Sequence, residues 1–311
     1  MLRAEPVQSP SAPNANERLH CRLAAANARR LAPRRSVGDF DAELEHDVTM
    51  RRTERAFVEA ERAAVKRDAR AVPTNPDQFA AWFESLTETS RQNAEPLSSW
   101  LAHEASPEQA QWFTEQERHH DAGLEDLLAL TQVNMPVCSK LELARSYFSE
   151  LNHGGSPSPL QQHPTPLVDM PSARAIWEAL AVDNLMVALA TARHYAYQSL
   201  GALGLAEYAG PQRTRSIFSH ASPWSREILA PLVANDATLA PVIAEGALMR
   251  LRLVAQRDAR YLILLRQASP QVAQFEYAEE SSEPCPPAFA PGAGPAVQPV
   301  RWREVSARPT Y

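Results

Sequence analysis

Two glutamate–histidine pairs lie three residues apart in this chain, Glu117–His120 and Glu150–His153. Three residues is close to one helical turn, so each pair shares a helix face. An inward-facing carboxylate and imidazole are what helical bundles use to hold iron or manganese. Glu117, His119, His120 and Asp121 read more simply as a wet helix face. His153, just before Gly154-Gly155, reads as a C-terminal capping residue whose ring suits the last carbonyls.

Glu150 has a denser setting, since it follows Leu143 by seven residues and Tyr147 by three, on a face that also needs covering. A carboxylate buried there is costly without a cation. Glu207 follows Leu200 by seven and Leu203 by four, at the end of the run Tyr195–Gly204. Gly201 and Gly204 in that run mark a close approach by another backbone or a ligand. Each of the two acids is either a metal ligand or a helix-terminal surface acid.

The elements that must position these residues are helices. Glu17–Arg35 carries six arginines against one acid and reads as a solvated, frayed helix, with a polyanion or partner contact as the alternative. Asp39–Arg70 reads as a long charged helix anchored by Leu44, Val48, Phe57 and Val65, and Pro76–Leu101 repeats Phe79, Trp82, Phe83 and Leu86 at helical spacing. Ser106-Pro107-Glu108 starts a helix that is expected to reach Gln132. Lys140–Leu151 is a shorter helix, followed by a connection with five prolines between Ser156 and Pro171. One long, many-sided helix is expected over Ser172–Tyr208, and Pro223–Ala234 and Pro241–Gln267 supply two more. Almost nothing alternates with a period of two, so the fold is expected to be all-α. Residues 39–268 form the bundle, 1–38 a disordered or frayed basic segment, and 269–311 a Pro-rich flexible tail.

Composition narrows the function classes. The 311 residues hold 10 Gly and 26 Pro, with no G-x-G-x-x-G or G-x-x-x-x-G-K phosphate cradle. A net charge of −6 argues against a nucleic-acid binder. Cys21, Cys138 and Cys285 are odd in number and form no C-x-x-C pair, so neither a disulfide framework nor a structural zinc site is expected, and a cytoplasmic setting fits. No run of about 18 apolar residues predicts a membrane span, and no apolar stretch follows the N-terminal arginines as a secretory signal would require.

Several stretches together resemble a known family. Asp126–Pro136, Lys140–Glu150, Asp183–Ala190, Tyr195–Gly204 with Glu207, and Trp224 with Glu227–Pro231 and Ile243–Leu251 are similar to the iron-containing redox enzymes of the haem-oxygenase-like fold, over roughly residues 76–265. The resemblance implies a haem-oxygenase-like bundle holding non-haem iron, one or two ions, that activates dioxygen to oxidise a small-molecule substrate. It implies no nucleic acid, no membrane and a possible homodimer. Carried over by position, the ligands are Glu150, His163 (with His153 competing), Glu207 and His220. The family's terminal H-x-x-x-D-x-x-H, closed at His220, would put its other two ligands at positions 213 and 217. Those are Arg213 and Ile217, which cannot serve a divalent metal.

Two other readings follow from these residues. The chain is then a non-catalytic helical scaffold or binding protein that keeps the fold alone, or it holds haem on a histidine early in the bundle, with His46 and His103 as candidates. Tyr195 and Tyr197 line a pocket or are amphipathic core residues, and Met186 and Trp177 are expected to pack.

Overall fold

A computed structural model describes residues 14–31, 39–120, 124–133, 135–152, 177–205, 207–208, 214–215 and 224–267. Ten α-helices account for nearly all of them: α1 (Ala15–Leu31), α2 (Phe40–Arg70), α3 (Pro76–His103), α4 (Pro107–His120), α5 (Leu124–Thr131), α6 (Val137–Asn152), α7 (Trp177–Thr191), α8 (Ala196–Gly204), α9 (Ala230–Asn235) and α10 (Leu239–Gln267). A 3₁₀ turn at Arg193–Tyr195 precedes α8, and a π-helical turn at Ser225–Leu229 precedes α9. The strand pairing among the described residues is one antiparallel match of two residues each, β1 (Glu207–Tyr208) with β2 (Thr214–Arg215). The protein is an all-α bundle. Of the N-terminal segment 1–38 expected to be disordered or frayed, residues 1–13 and 32–38 lie outside the described residues, as does the tail 269–311.

The start signals act as their chemistry requires. Asp39 and Asn75 cap α2 and α3 by accepting from the backbone N–H of Ala42 and Gln78 at 3.1 Å each. Ser106 and Gln109 do the same reciprocally at the start of α4, with Pro107 in the first turn.

At the centre are α7 and α10. On α7, ten residues between Ala179 and Ala190 are buried, which is the all-round burial expected of an apolar helix inside a bundle. The helix α10 packs on α2, α3, α7 and α8. Its contact with α8 is governed by glycines. A Cβ on Gly201 would lie 1.9 Å from the carbonyl oxygen of Ile243, and a Cβ on Gly246 would lie 1.8 Å from that of Gln198. The two helices therefore touch backbone to backbone, a distance that any side chain would forbid. A second aromatic layer, Trp112 and Phe113 of α4 edge-on to the fully buried Tyr261 of α10, closes the other end.

Four sequence expectations are corrected. The helix expected over Ser172–Tyr208 is broken at Ala192, whose extended backbone separates α7 from the 3₁₀ turn and α8. Its last two residues belong to β1 instead. The helix expected from Pro107 to Gln132 is described as two, α4 and α5. On α2, Phe57 and Val65 are buried, but Leu44 and Val48 are exposed, so the first ten residues of that helix bury no side chain in the core and burial begins at Met50.

The fourth correction concerns α1, which is docked rather than solvated. Leu23 is 1 % exposed, and His20 stacks on Trp177 with the planes 8° apart while Phe57 meets its edge. The Asn184 amide of α7 donates to the His20 carbonyl at 3.0 Å and accepts from the Asn27 amide at 2.9 Å. Arg30 then donates to Asn27 and to Glu54 of α2, which also pairs with Arg51. The arginine count hid one apolar and polar inward face: Leu19, His20, Leu23 and Asn27 lie at helical spacing on it.

Two outcomes follow. Gly246→Ala must push the helices apart and should cost about 2–3 kcal/mol, read as a lower urea midpoint with an unchanged m-value; an unaltered midpoint would refute the close approach. Burial lowers the His20 pKa to about 4. The unfolded chain therefore takes up a proton between about pH 6.5 and 4 that the folded chain refuses. Stability should fall through that window by up to about 3 kcal/mol and show no such dependence above pH 7. His20→Gln should flatten that part of the profile, and an identical slope in the variant would contradict it.

Candidate metal centre and the polar clusters around it

Of the four residues proposed as ligands, two have a described backbone. Glu150 lies in the last turn of α6, and Glu207 begins β1. Their side chains, and both His163 and His220, lie outside the described residues, as do His153 and the connection 153–176. Register still places position 150 two turns after Leu143, on the same face of α6, and Leu143 is fully buried. The helix α6 packs on α5 and on the π-helical turn, while α3 packs on that turn and on β1. Position 207 is therefore in a hairpin-like pairing beside α3, rather than on the helix expected from sequence.

The ends of the segment between α8 and the π-helical turn are held together. Trp224 donates its indole N–H to the Leu200 carbonyl at 3.2 Å, and a Cβ on Gly204 would lie 2.0 Å from that same nitrogen. Both glycines read as marks of close approach thus have a neighbour: a backbone for Gly201 and an indole for Gly204. The π-helical turn carries an i→i+5 bond from the Ala230 N–H to the Ser225 carbonyl, just before Pro231, which has no N–H to continue a regular ladder. Glu84 of α3 fastens the turn by accepting from the Ser225 hydroxyl at 2.9 Å and from Arg226 at 2.8 Å. Arg226, and then Ser225, hold the Glu84 carboxyl below the usual carboxylate range.

The other polar concentration lies between α2, α8 and α10. Arg62 donates to both oxygens of Glu59 at 3.0 Å and, through Nε, to Glu245 at 2.8 Å. Tyr195 donates its hydroxyl to Glu59 at 2.7 Å, and Gln198 donates to Glu245 at 3.2 Å. Partial burial works against the charge of Glu59, but the Tyr195 hydroxyl and Arg62 outweigh it and hold that carboxyl low. Burial first, and the carboxylate second, push the Tyr195 phenol up. Lys66 joins Glu59, Arg62, Ala63 and Glu245 around a shallow cleft of about 100 Å³. The Arg62 guanidinium bridges the two carboxylates, and with Lys66 on the rim the charges of the cleft balance, which makes the cluster a clasp between helices. Sequence reading flagged Tyr195 alone. Glu245 carried a usable signal, as an acid inside the apolar run Val242-Ile-Ala-Glu-Gly-Ala-Leu248 that needs a cation.

The remaining candidates are placed plainly. Glu117, His119 and His120 lie on α4 with side chains outside the described residues. Of the haem candidates, His103 is exposed and its Nδ1 lies 2.8 Å from the Ser99 carbonyl of its own helix, and His46 is half-buried on α2. Tyr197 and Trp177 pack partly buried against the core, and Met186 is buried within it. Among the described residues no three His, Cys, Asp or Glu side chains group as a metal site, and no helix is long and apolar enough to cross a membrane. No family model matches the chain, and neither does any curated protein or solved structure.

Because the Tyr195 hydroxyl serves a charged acceptor, Tyr195→Phe should cost about 1 kcal/mol in urea unfolding. An unchanged urea midpoint in the variant would contradict the clasp.

Proposed function

We propose that the protein is an iron-dependent oxidoreductase that uses dioxygen on a small organic substrate, with Glu150, His163, Glu207 and His220 as its ligands. The observation that carries this reading is the register of α6. Position 150 follows the fully buried Leu143 by two turns on a helix that packs against the π-helical turn, a register that supports an inward-facing ligand there. His220 is four residues upstream of that turn's first neighbour, Trp224, and Glu207 is three residues downstream of Gly204, against which Trp224 rests. The proposed haem-oxygenase-like architecture agrees with an all-α bundle, and a cytoplasmic location with the reduced-thiol composition.

The donor chemistry fits one ion better than two. Two carboxylates and two imidazoles form a nitrogen and oxygen set suited to ferrous iron. Positions 213 and 217, which would complete a second site, are Arg213 and Ile217. Bound iron supplies the activation of dioxygen and the oxidation of substrate. The chain's own part is to bring two acids of separate elements to one end of the bundle and to exclude water with the apolar wall of α7, while Trp224 and Glu84 keep the segment's ends fixed.

The Arg213 and Ile217 positions also favour a second reading, a helical scaffold without metal chemistry. Protein purified from iron-supplemented cells separates the two. The enzyme reading predicts close to one iron per chain, lost in Glu150→Ala and in Glu207→Ala. Absence of iron, together with a melting temperature unmoved by added Fe(II), would establish the scaffold instead.

A further inference from the structure

The first three turns of α2 present an apolar row to solvent. Phe40, Leu44 and Val48 recur every four residues along one face and are 64 %, 51 % and 42 % exposed. Asp41 and Glu45, both exposed, run beside them at the same four-residue spacing, and residues 39–50 contain five acids and neither lysine nor arginine. Phe40, Leu44 and Val48 thus form an acidic-edged apolar strip on a helical arm, and single exposed residues of this size would need no explanation whereas an aligned row does.

The complementary surface is on α1. Its outward face carries Arg18, Arg22, Ala25 and Arg29, all exposed, on the side opposite the docked Leu23 and Asn27. Arginine stems with a small residue between them can lie along Phe, Leu and Val side chains while their guanidinium groups reach flanking carboxylates. Arg18 and Arg22 repeat the four-residue spacing of Asp41 and Glu45, so the two rows match in pitch. Within one chain, α1 is already committed elsewhere: His20 meets Phe57 and Arg30 meets Glu54, one to two turns or more beyond Val48.

We propose that two copies of this chain pair reciprocally, the acidic apolar arm of α2 in each seated on the arginine face of α1 in the other. Arm against arm is excluded by like charge, whereas arm against α1 is attractive. A single such contact is small beside the roughly 1,200–2,000 Å² that specific interfaces bury. The two-fold arrangement repeats the contact and closes the assembly.

Sedimentation velocity on the full chain tests this. The native protein should dimerise, with a dissociation constant at least tenfold weaker in 500 mM than in 50 mM NaCl. Asp41→Arg with Glu45→Arg, and separately Arg22→Glu with Arg29→Glu, should each yield monomers. An equimolar mixture of the two variants should form heterodimers, because each contact again joins opposite charges. The mixture shows that the variants fold. A native protein that is monomeric at 100 µM would overturn the proposal. So would a dimer indifferent to both charge reversals, or variants that stay monomeric when mixed.

Discussion

The bundle depends on the contact of α8 with α10, where two helices meet at their backbones. Gly201 faces the Ile243 carbonyl and Gly246 faces the Gln198 carbonyl, so each helix supplies the gap that the other fills. Without that approach α8 could not lie where Trp224 reaches the Leu200 carbonyl, and Tyr195 could not reach Glu59. The contact is made of shape rather than area. Larger residues at either glycine would add apolar surface and still separate the helices, because the obstructing atoms are backbone.

Around this contact, polar groups fix which helix goes where. Asn184 is buried within an otherwise apolar α7, and its amide is satisfied from α1 by the His20 carbonyl and the Asn27 side chain. Arg62 does the same for Glu59 and Glu245 between α2 and α10. An unmatched amide or carboxylate at these depths costs more than its bond contributes, so the networks select one docking among many apolar ones. Packing supplies cohesion, and these few polar pairs supply register.

The sequence made much of the fold legible, for physical reasons that differ by element. Capping residues and aromatic spacing located α2, α3 and α6, because those signals are local. The glycines at 201 and 204 announced close contact because their lack of a side chain has few other uses inside a helix. The docking of α1 was hidden: six arginines dominate the composition of Glu17–Arg35, while the face that matters carries only Leu19, His20, Leu23 and Asn27. The break at Ala192 had no proline or glycine to announce it. It follows from tertiary demands, since it lets Tyr195 meet α2 while Gly201 meets α10. Exposure of Leu44 and Val48 was equally illegible, because periodicity marks an apolar face without saying what covers it. For the proposed metal site, sequence supplied only the donor types, and the described residues add the register of α6 and the contact of Trp224 with Leu200 and Gly204.

The central claim is that two acids and two histidines hold one iron at the end of the bundle nearest the π-helical turn. X-ray absorption at the iron edge of the ferrous-loaded, desalted protein tests it most directly. The account predicts a first shell of nitrogen and oxygen only, with the outer-shell scattering of two imidazoles that disappears in the His163→Ala/His220→Ala double variant, and no iron–iron scattering. Sulfur in the first shell, imidazole scattering unchanged in that variant, or iron that washes out on desalting would contradict it.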